Sequence, residues 1–189
     1  ACLVIYLIGD HLDGMQAKRT GTGSALGEFC DHYLDAFNNG IIVFMMFTVF
    51  DIHHPAAMAG VIAISYWAHM AVFYEQFKTG WLTFERIGSL EGVLLSALLI
   101  GLTVLEPFYA LMTYCLAGTI TVAELFIAGS TLGAFMTFIQ TARRTPAIMA
   151  GYWIFVMLII VVAVSGMFVF NNFQLFIVVT LYASLYIGW

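Results

Sequence analysis

Charged side chains are scarce in this sequence: 9% of its 189 residues are charged, whereas 62% are hydrophobic. A soluble domain carries about a quarter of its residues as charged side chains, so the composition excludes an ordinary water-soluble fold. Long apolar runs separate the few charges along the chain. The composition therefore predicts an all-α fold, that of a polytopic helical membrane protein.

Basic residues and cysteines are also few. The six Lys and Arg residues form no basic stripe, which excludes a nucleic-acid-binding surface. The three cysteines, Cys2, Cys30 and Cys115, lie far apart and include no C-x2-C pair. They exclude a disulfide framework and a zinc site, and we interpret them as buried small apolar residues.

About seven stretches are apolar and long enough to span a bilayer, which takes about 20 residues. The predicted spans are 1–17, 26–50, 55–76, 89–107, 120–141, 147–167 and 171–189. We expect His54-Pro55 to separate the second span from the third, and Thr145-Pro146 to begin the sixth. Asn171-Asn172 is expected to cap the last span.

The positive charges predict the orientation of these spans. If the spans alternate, all six cations lie on one side of the membrane, in the first, third and fifth loops: Lys18, Arg19, Lys78, Arg86, Arg143 and Arg144. The positive-inside rule assigns that side to the cytoplasm. We therefore expect an integral membrane protein whose first, third and fifth loops, and any site within them, face the cytoplasm.

Acidic residues are concentrated in one short stretch, Gly9–Phe37. It holds five of the eleven carboxylates: Asp10, Asp13, Glu28, Asp31 and Asp35. Carboxylates at the edge of a hydrocarbon layer are costly unless they are paired, solvated or bound to a cation. Between them, Gly21 and Gly23 predict a turn that folds two helices into a hairpin. We therefore predict that residues 9–37 form the catalytic hairpin.

The spacing of the acids predicts a metal site. Asp10 and Asp13 are three residues apart, and Asp31 and Asp35 are four apart, so each pair lies on one helix face. A hairpin would bring the two pairs face to face. Carboxylate oxygens suit hard cations such as Mg²⁺ or Mn²⁺, and two such ions can bind a phosphate group between them.

The complete pattern is Asp10-x2-Asp13-Gly14-x2-Ala17-Lys18-x8-Gly27-x3-Asp31-x3-Asp35. It resembles the signature of the CDP-alcohol phosphotransferases, D-x2-D-G-x2-A-R-x8-G-x3-D-x3-D. One fixed position departs from it: Lys18 stands where the signature has Arg, which keeps a cation but loses the guanidinium fork. The E-x2-D-H run formed by Glu28, Asp31 and His32 is most similar to the choline/ethanolamine phosphotransferase branch.

The resemblance implies an enzyme of phospholipid synthesis. A phosphoethanolamine or phosphocholine group would pass from a CDP-linked donor to a lipid hydroxyl such as diacylglycerol, with release of CMP. The metal ligands would be Asp10, Asp13, Asp31 and Asp35. The contacts of the nucleotide would be Gly14, Ala17, Lys18 and Gly27. The small residues would let the nucleotide lie close to the helices, and the lysine would meet a phosphate as a point charge.

The acceptor hydroxyl needs a general base, and two residues compete for this role. In many members of the family the last aspartate of the motif, here Asp35, is given it. In the branch that the chain resembles, His32 assisted by Glu28 fits better, because imidazole is closer to the ideal basicity and Glu28 lies one turn away. We favour His32, with Asp35 mainly a metal ligand.

A second stretch, Tyr74–Gly92, resembles the W-E-x-Y-x-T-G and G-x-x-E-G region of the same branch. In it, Glu75 and Glu91 are expected to line the substrate site at the cytoplasmic boundary. The alternative is that both are interfacial residues that pair with Lys78 or Arg86. The sequence favours neither interpretation.

We expect residues 1–189 to form a single integral-membrane domain. Related enzymes have at least one helix before the motif, so we expect an N-terminal portion to be missing from this sequence. Related enzymes are also dimeric, and Gly129-x3-Gly133 is compatible with the close-packed seam of a homodimer.

Two other functions are compatible with the acid motif. In the first, CDP-diacylglycerol donates a phosphatidyl group to a small polar alcohol. In the second, which belongs to a different class, the acids form the cation site of a transporter. Transporters usually bind their ions near the membrane midplane on broken helices, whereas these acids flank a glycine-rich turn at one face.

Overall fold

The long apolar runs of the sequence form helices, because a chain inside a membrane must satisfy its backbone hydrogen bonds internally. The computed structural model describes residues 2–81, 89–116 and 118–187. Its helices are α1 (Cys2–Thr20), α2 (Ala25–Val49), α3 (Pro55–Thr79), α4 (Ser89–Leu102), α5 (Glu106–Met112), α6 (Val122–Arg144), α7 (Ala150–Val169) and α8 (Asn172–Ile187). Two short antiparallel strands, β1 (Cys115–Leu116) and β2 (Ile120–Thr121), precede α6. The predicted all-α class is confirmed.

Three helices in the described ranges are long and apolar enough to cross a membrane: α3, α6 and α7. A fourth crossing results if α4 and α5 count as one span, which is bent by 115°. The predicted span 89–107 is therefore not one straight helix. Pro107 lies in the first turn of α5, where it lacks the N–H that would continue the ladder from α4.

Two of the predicted helix boundaries are confirmed. α3 begins at Pro55, with His54 as its N-cap in an extended conformation. At the start of α8, Asn171 Oδ1 accepts a hydrogen bond of 2.9 Å from the backbone N of Gln174. This side-chain cap satisfies one of the free N–H groups in the first turn of the helix.

The predicted start of the sixth span at Thr145-Pro146 is wrong, because α7 begins at Ala150. Thr145 instead ends α6, with its backbone N donating to the carbonyl of Thr141 at 3.0 Å. A proline disfavours helical backbone in the residue before it. Ala147, with φ of +47°, then turns the chain away from a helical path.

The central helix of the bundle is α3, which packs against α2, α6, α7 and α8. Met58, Ile62 and Tyr66 recur every four residues along it and are fully buried, so they form one packed stripe. α2 also lies close to α8, where a β-carbon at Gly40 would be 2.2 Å from Thr180 Oγ1. Glycine at this position permits the close approach of the two helices.

The prediction that the cysteines are buried is wrong for the two whose side chains the structure describes, because Cys30 and Cys115 are both exposed.

The helix ends form two groups. At one end, Glu75 near the end of α3 contacts Arg144 at the end of α6; we call this the hairpin end. At the other, Asn172 at the start of α8 donates to the carbonyl of Ile52, between α2 and α3, at 3.3 Å; we call this the distal end. The described cations stand in the last turns of α1, α3 and α6, towards the hairpin end: Lys18, Arg19, Lys78, Arg143 and Arg144.

Candidate active site

The helix hairpin predicted between the two acid pairs is present. α1 extends to Thr20, three residues beyond the predicted span, residues 21–24 form the turn, and α2 begins at Ala25. Gly21, with φ of +66°, supplies the left-handed conformation that ends α1. Ser24 caps α2, because its Oγ accepts a hydrogen bond of 3.1 Å from the backbone N of Gly27.

A tyrosine joins the two helices of the hairpin. The hydroxyl of Tyr6 in α1 donates a hydrogen bond to Oδ1 of Asp35 in α2, and both side chains are half-buried. Because Tyr6 precedes the acid motif and Asp35 ends it, the two helices lie side by side beyond the turn. Sequence reasoning missed Tyr6. The hydroxyl of a tyrosine in a membrane helix needs a polar partner, and this need could have indicated the contact.

The predicted metal ligands differ in their exposure. Asp13 is exposed, whereas Asp31 and Asp35 are half-buried on α2. Asp10 belongs to α1, but its side chain lies outside the described residues. Among the side chains that are described, no three of His, Cys, Asp and Glu lie close enough to hold a metal. The four-aspartate site therefore stays a prediction, and its oxygen donors fit a hard divalent cation.

The predicted nucleotide contacts lie on an open surface of the hairpin. In α1, Gly14 and Lys18 are exposed and Ala17 is half-buried. A β-carbon at Gly14 would meet no atom within 4 Å, whereas at Gly27 it would lie 3.3 Å from Ser24 Oγ. Gly14 therefore leaves room for a ligand, while Gly27 also has a local role in the cap of α2.

Residues of α3 position both His32, the predicted general base, and Glu28, which is predicted to assist it. The half-buried ring of His32 stacks on Phe73, with 3.9 Å between the ring centroids. The ring of His69 meets Phe73 edge-on at 4.7 Å. Glu28 accepts a hydrogen bond from Nε2 of Gln76 at 3.2 Å. Packing on α3 therefore orients His32, and sequence reasoning missed both Phe73 and Gln76 because they are remote in the chain.

Glu75 forms an ion pair across the bundle with Arg144, whose side chain is partly exposed. Its two carboxylate oxygens accept hydrogen bonds from Nε and Nη2 of Arg144, each at 3.1 Å. The Glu75 side chain is buried, and the pair is bidentate. The sequence offered Lys78 or Arg86 as partners. Lys78 lies instead over the ring of Tyr74, 5.5 Å from its centroid, and Arg86 lies outside the described residues.

Two further predictions concern Glu91 and the glycines of α6. Glu91 belongs to α4, but its side chain is outside the described residues. Gly129 and Gly133 on α6 are exposed, and a β-carbon at either would meet no atom within 4 Å. Packing inside the described chain therefore requires neither glycine, and the homodimer seam stays a prediction.

The acid motif lies in the part of the chain that matches a known protein family. The sequence model of the CDP-alcohol phosphatidyltransferase family matches residues 1–120. A Schizosaccharomyces pombe protein named an uncharacterized class-I member of that family is 30% identical over 109 residues, 55% of this chain and 27% of its own. A CDP-diacylglycerol–serine O-phosphatidyltransferase of Encephalitozoon cuniculi is 33% identical over 93 residues, 48% of this chain and 24% of its own. The chain spans about a quarter of the length of these relatives. No solved structure matches it.

Proposed function

The chain belongs to the CDP-alcohol phosphatidyltransferase family, and we propose on that basis that it transfers a phosphate-linked group from a CDP-linked donor to an alcohol. The observation that carries this proposal is the hairpin of α1 and α2. It contains every fixed position of the acid motif, and the Tyr6–Asp35 hydrogen bond ties its two helices together. The reaction would belong to phospholipid synthesis and would release CMP.

The proposed donor carries phosphoethanolamine or phosphocholine, and the proposed acceptor is a lipid hydroxyl such as that of diacylglycerol. The E-x2-D-H run at Glu28, Asp31 and His32 supports this choice of branch. The acceptor oxygen forms a bond to the phosphorus next to the headgroup while the phosphoanhydride bond breaks. The electron pair of that bond leaves with CMP, and a basic side chain takes the proton of the hydroxyl.

Four aspartates would hold two divalent ions, Mg²⁺ or Mn²⁺: Asp10, Asp13, Asp31 and Asp35. When bound, the ions neutralise the phosphate oxygens and the leaving CMP. Around them, Gly14, Ala17 and Gly27 would admit the nucleotide close to the helix backbone. Lys18, at the end of α1, would place a positive charge near a phosphate.

His32 is the proposed general base. Stacking on Phe73 limits the orientations of its ring, so the ring nitrogens can be held towards an acceptor. Gln76 likewise holds the Glu28 carboxylate one turn before His32. Asp35 would act mainly as a metal ligand, with Tyr6 fixing one of its oxygens.

For Glu75 and Glu91 we propose separate roles. The contacts of Glu75 make it a structural residue that joins α3 to α6 through Arg144. Glu91 is proposed to line the headgroup end of the substrate site. We also propose that the hairpin end faces the cytoplasm, since the described Lys and Arg residues lie towards it.

A second candidate function is phosphatidyl transfer from CDP-diacylglycerol to a small polar alcohol. The Encephalitozoon cuniculi relative favours it, because that protein is named a CDP-diacylglycerol–serine O-phosphatidyltransferase. The two candidates use the same hairpin and release the same product, CMP. They differ in whether the acceptor or the donor carries the lipid.

The deciding experiment measures CMP release by the purified protein with each donor and acceptor pair. CDP-choline or CDP-ethanolamine with diacylglycerol tests the first candidate, and CDP-diacylglycerol with serine tests the second. The Asp31→Asn protein is the blank, and Glu106→Gln, an exposed site on α5, is the matched control. Folded protein that releases no CMP from any pair with Mg²⁺ or Mn²⁺ would contradict both candidates.

A further inference from the structure

A cavity of about 440 Å³ lies at the distal end, away from the catalytic hairpin. It is formed by the end of α2, the connection to α3 and the start of α8. Its walls combine the rings of Phe44 and Phe173, which lie 5.6 Å apart, with the side chain of Asp51. A cavity of this size is in the range of small-molecule sites, and the acid motif does not use it.

Asp51 is available to a cationic ligand. The only Lys and Arg residues in the described ranges stand in the last turns of α1, α3 and α6, towards the hairpin end. His53 Nε2 lies 2.8 Å from Asp51 Oδ1, but both side chains are nearly four-fifths exposed. A contact so exposed to water is weak, so it leaves Asp51 free to bind a cation.

A second cavity, of about 400 Å³, adjoins the first, and Phe47 and Ile52 line both. It runs between α3 and α6 and is bordered by small residues, among them Ala57 and Gly60. A β-carbon at Gly60 would meet no atom within 4 Å, so the glycine leaves this groove open.

The two polar side chains that line the second cavity, Glu124 and Thr131, already make hydrogen bonds within the protein. Glu124 Oε2 accepts hydrogen bonds from the backbone N and Oγ1 of Thr121, at 2.8 and 3.0 Å, in the capping box of α6. The hydroxyl of Thr131 donates to the carbonyl of Ile127 at 2.7 Å. The groove therefore offers a ligand an apolar surface, which suits a hydrocarbon chain.

We propose that the two cavities together bind one phospholipid with a quaternary ammonium headgroup. The headgroup lies in the first cavity, where the ammonium contacts the Asp51 carboxylate and the faces of Phe44 and Phe173. Aromatic faces beside a carboxylate are the arrangement that recognises quaternary ammonium groups. One acyl chain passes Phe47 and enters the groove beside Gly60. The proposal does not depend on the proposed function, because neither cavity contains a residue of the acid motif.

The charge of the site decides which lipid it selects. An anionic headgroup would meet the Asp51 carboxylate with no Lys or Arg among the described residues nearby, and like charges repel. A headgroup with a positive terminus gains from Asp51 instead. We therefore expect phosphatidylcholine to bind and phosphatidylglycerol, with the same acyl chains, to bind at least about tenfold more weakly.

The test is lipid retention by the purified full chain, measured by native mass spectrometry after delipidation and addition of either lipid. Gly60→Leu should fill the groove and abolish retention of phosphatidylcholine, whereas Gly101→Leu, at an equally open glycine on α4, should leave it unchanged. Asp51→Asn should weaken binding about tenfold, as expected for loss of the charge beside the ammonium. Asparagine tolerates the left-handed backbone of Asp51, whose φ is +57°, so the fold is kept.

Three results would overturn the proposal. The first is equal retention of phosphatidylcholine by the Gly60→Leu and unsubstituted proteins. The second is retention of phosphatidylglycerol equal to that of phosphatidylcholine, with neither changed by Asp51→Asn. The third is unchanged lipid retention with loss of a dimer in Gly60→Leu, which would assign the groove to a second copy of the chain. None of these readouts uses CMP release, so they are independent of the proposed reaction.

Discussion

The hydroxyl of Tyr6 donates a hydrogen bond to Oδ1 of Asp35 across the two helices of the hairpin. This contact fixes one oxygen of the last aspartate in the motif. A hydrogen bond to a charged group contributes about 1.5–3 kcal/mol, so Tyr6→Phe should raise the Mg²⁺ concentration needed for half-maximal CMP release by about tenfold or more. Tyr33→Phe, on α2, is the control and should leave this concentration unchanged. An unchanged Mg²⁺ requirement in Tyr6→Phe would separate the tyrosine from the metal site.

Replacing one aspartate of the motif should remove activity without unfolding the protein. In Asp13→Asn and Asp31→Asn the side chain keeps its size but loses the charge that attracts a divalent cation. We expect CMP release to vanish in both variants, and chelator to abolish it in the unsubstituted protein until Mg²⁺ or Mn²⁺ is restored. The Glu106→Gln protein should retain full activity. Turnover that persists in excess chelator would refute the two-metal mechanism.

Much of the fold follows from short local patterns in the sequence. The helix hairpin at residues 9–37 and the start of α3 at Pro55 are set by nearby residues, namely glycines in the turn and proline at a helix start. The start of α7 is not, because Pro146 acts on the residue before it and Ala147 adopts a left-handed conformation that no local pattern requires. The bend between α4 and α5 also lies beside a proline, since Pro107 stands in the first turn of α5.

The site is only partly encoded by spacing. Motif spacing places Glu28 and His32 on one face of α2, but their partners Gln76 and Phe73 come from α3. Such contacts depend on how helices pack, and packing is set by the whole bundle rather than by a local pattern. The partner of Glu75 is hidden for the same reason, since its guanidinium belongs to another helix.

Breaking the ion pair of Glu75 and Arg144 should destabilise the bundle, because the Glu75 carboxylate is buried. Arg144→Gln leaves the buried Glu75 carboxylate without its bidentate partner, which costs several kcal/mol for fully buried pairs. Because the arginine side chain is 39% exposed, we expect a smaller loss, about 1–3 kcal/mol of unfolding free energy. The exposed neighbour Arg143→Gln is the control. Thermal unfolding in detergent measures both, and equal melting temperatures would show that the pair contributes no stability.

Adding one methyl group at Gly40 should disturb the contact of α2 with α8. A β-carbon there would lie 2.2 Å from Thr180 Oγ1 and 2.5 Å from the hydroxyl of Tyr66, so the helices must separate. Overpacking of this kind costs about 1–3 kcal/mol, which thermal unfolding of Gly40→Ala should detect. Gly129→Ala, where the added carbon meets nothing, should not lower the melting temperature, because alanine is also the better helix former. Partial recovery in Gly40→Ala with Thr180→Ala would tie the loss to this contact, and no loss in Gly40→Ala would contradict it.

The last prediction separates the two candidates for the general base. His32→Phe retains a ring that can stack on Phe73, so the packing of α2 on α3 is kept while the ring nitrogens are lost. If His32 takes the acceptor proton, turnover should fall by about 10²–10⁴-fold, the usual contribution of general-base catalysis. Affinity for the CDP-linked donor should persist, because no proposed metal ligand is removed.

If Asp35 is the base instead, His32→Phe should lower turnover only slightly. Asp35→Asn would then stop turnover while the donor still binds, since asparagine can accept the hydrogen bond from Tyr6 but is a poor base. Donor affinity and single-turnover rates for both variants distinguish these outcomes, because the first reports binding and the second reports the chemical step. Near-normal single-turnover rates in His32→Phe would exclude His32, whereas loss of donor binding in Asp35→Asn would identify Asp35 as a metal ligand.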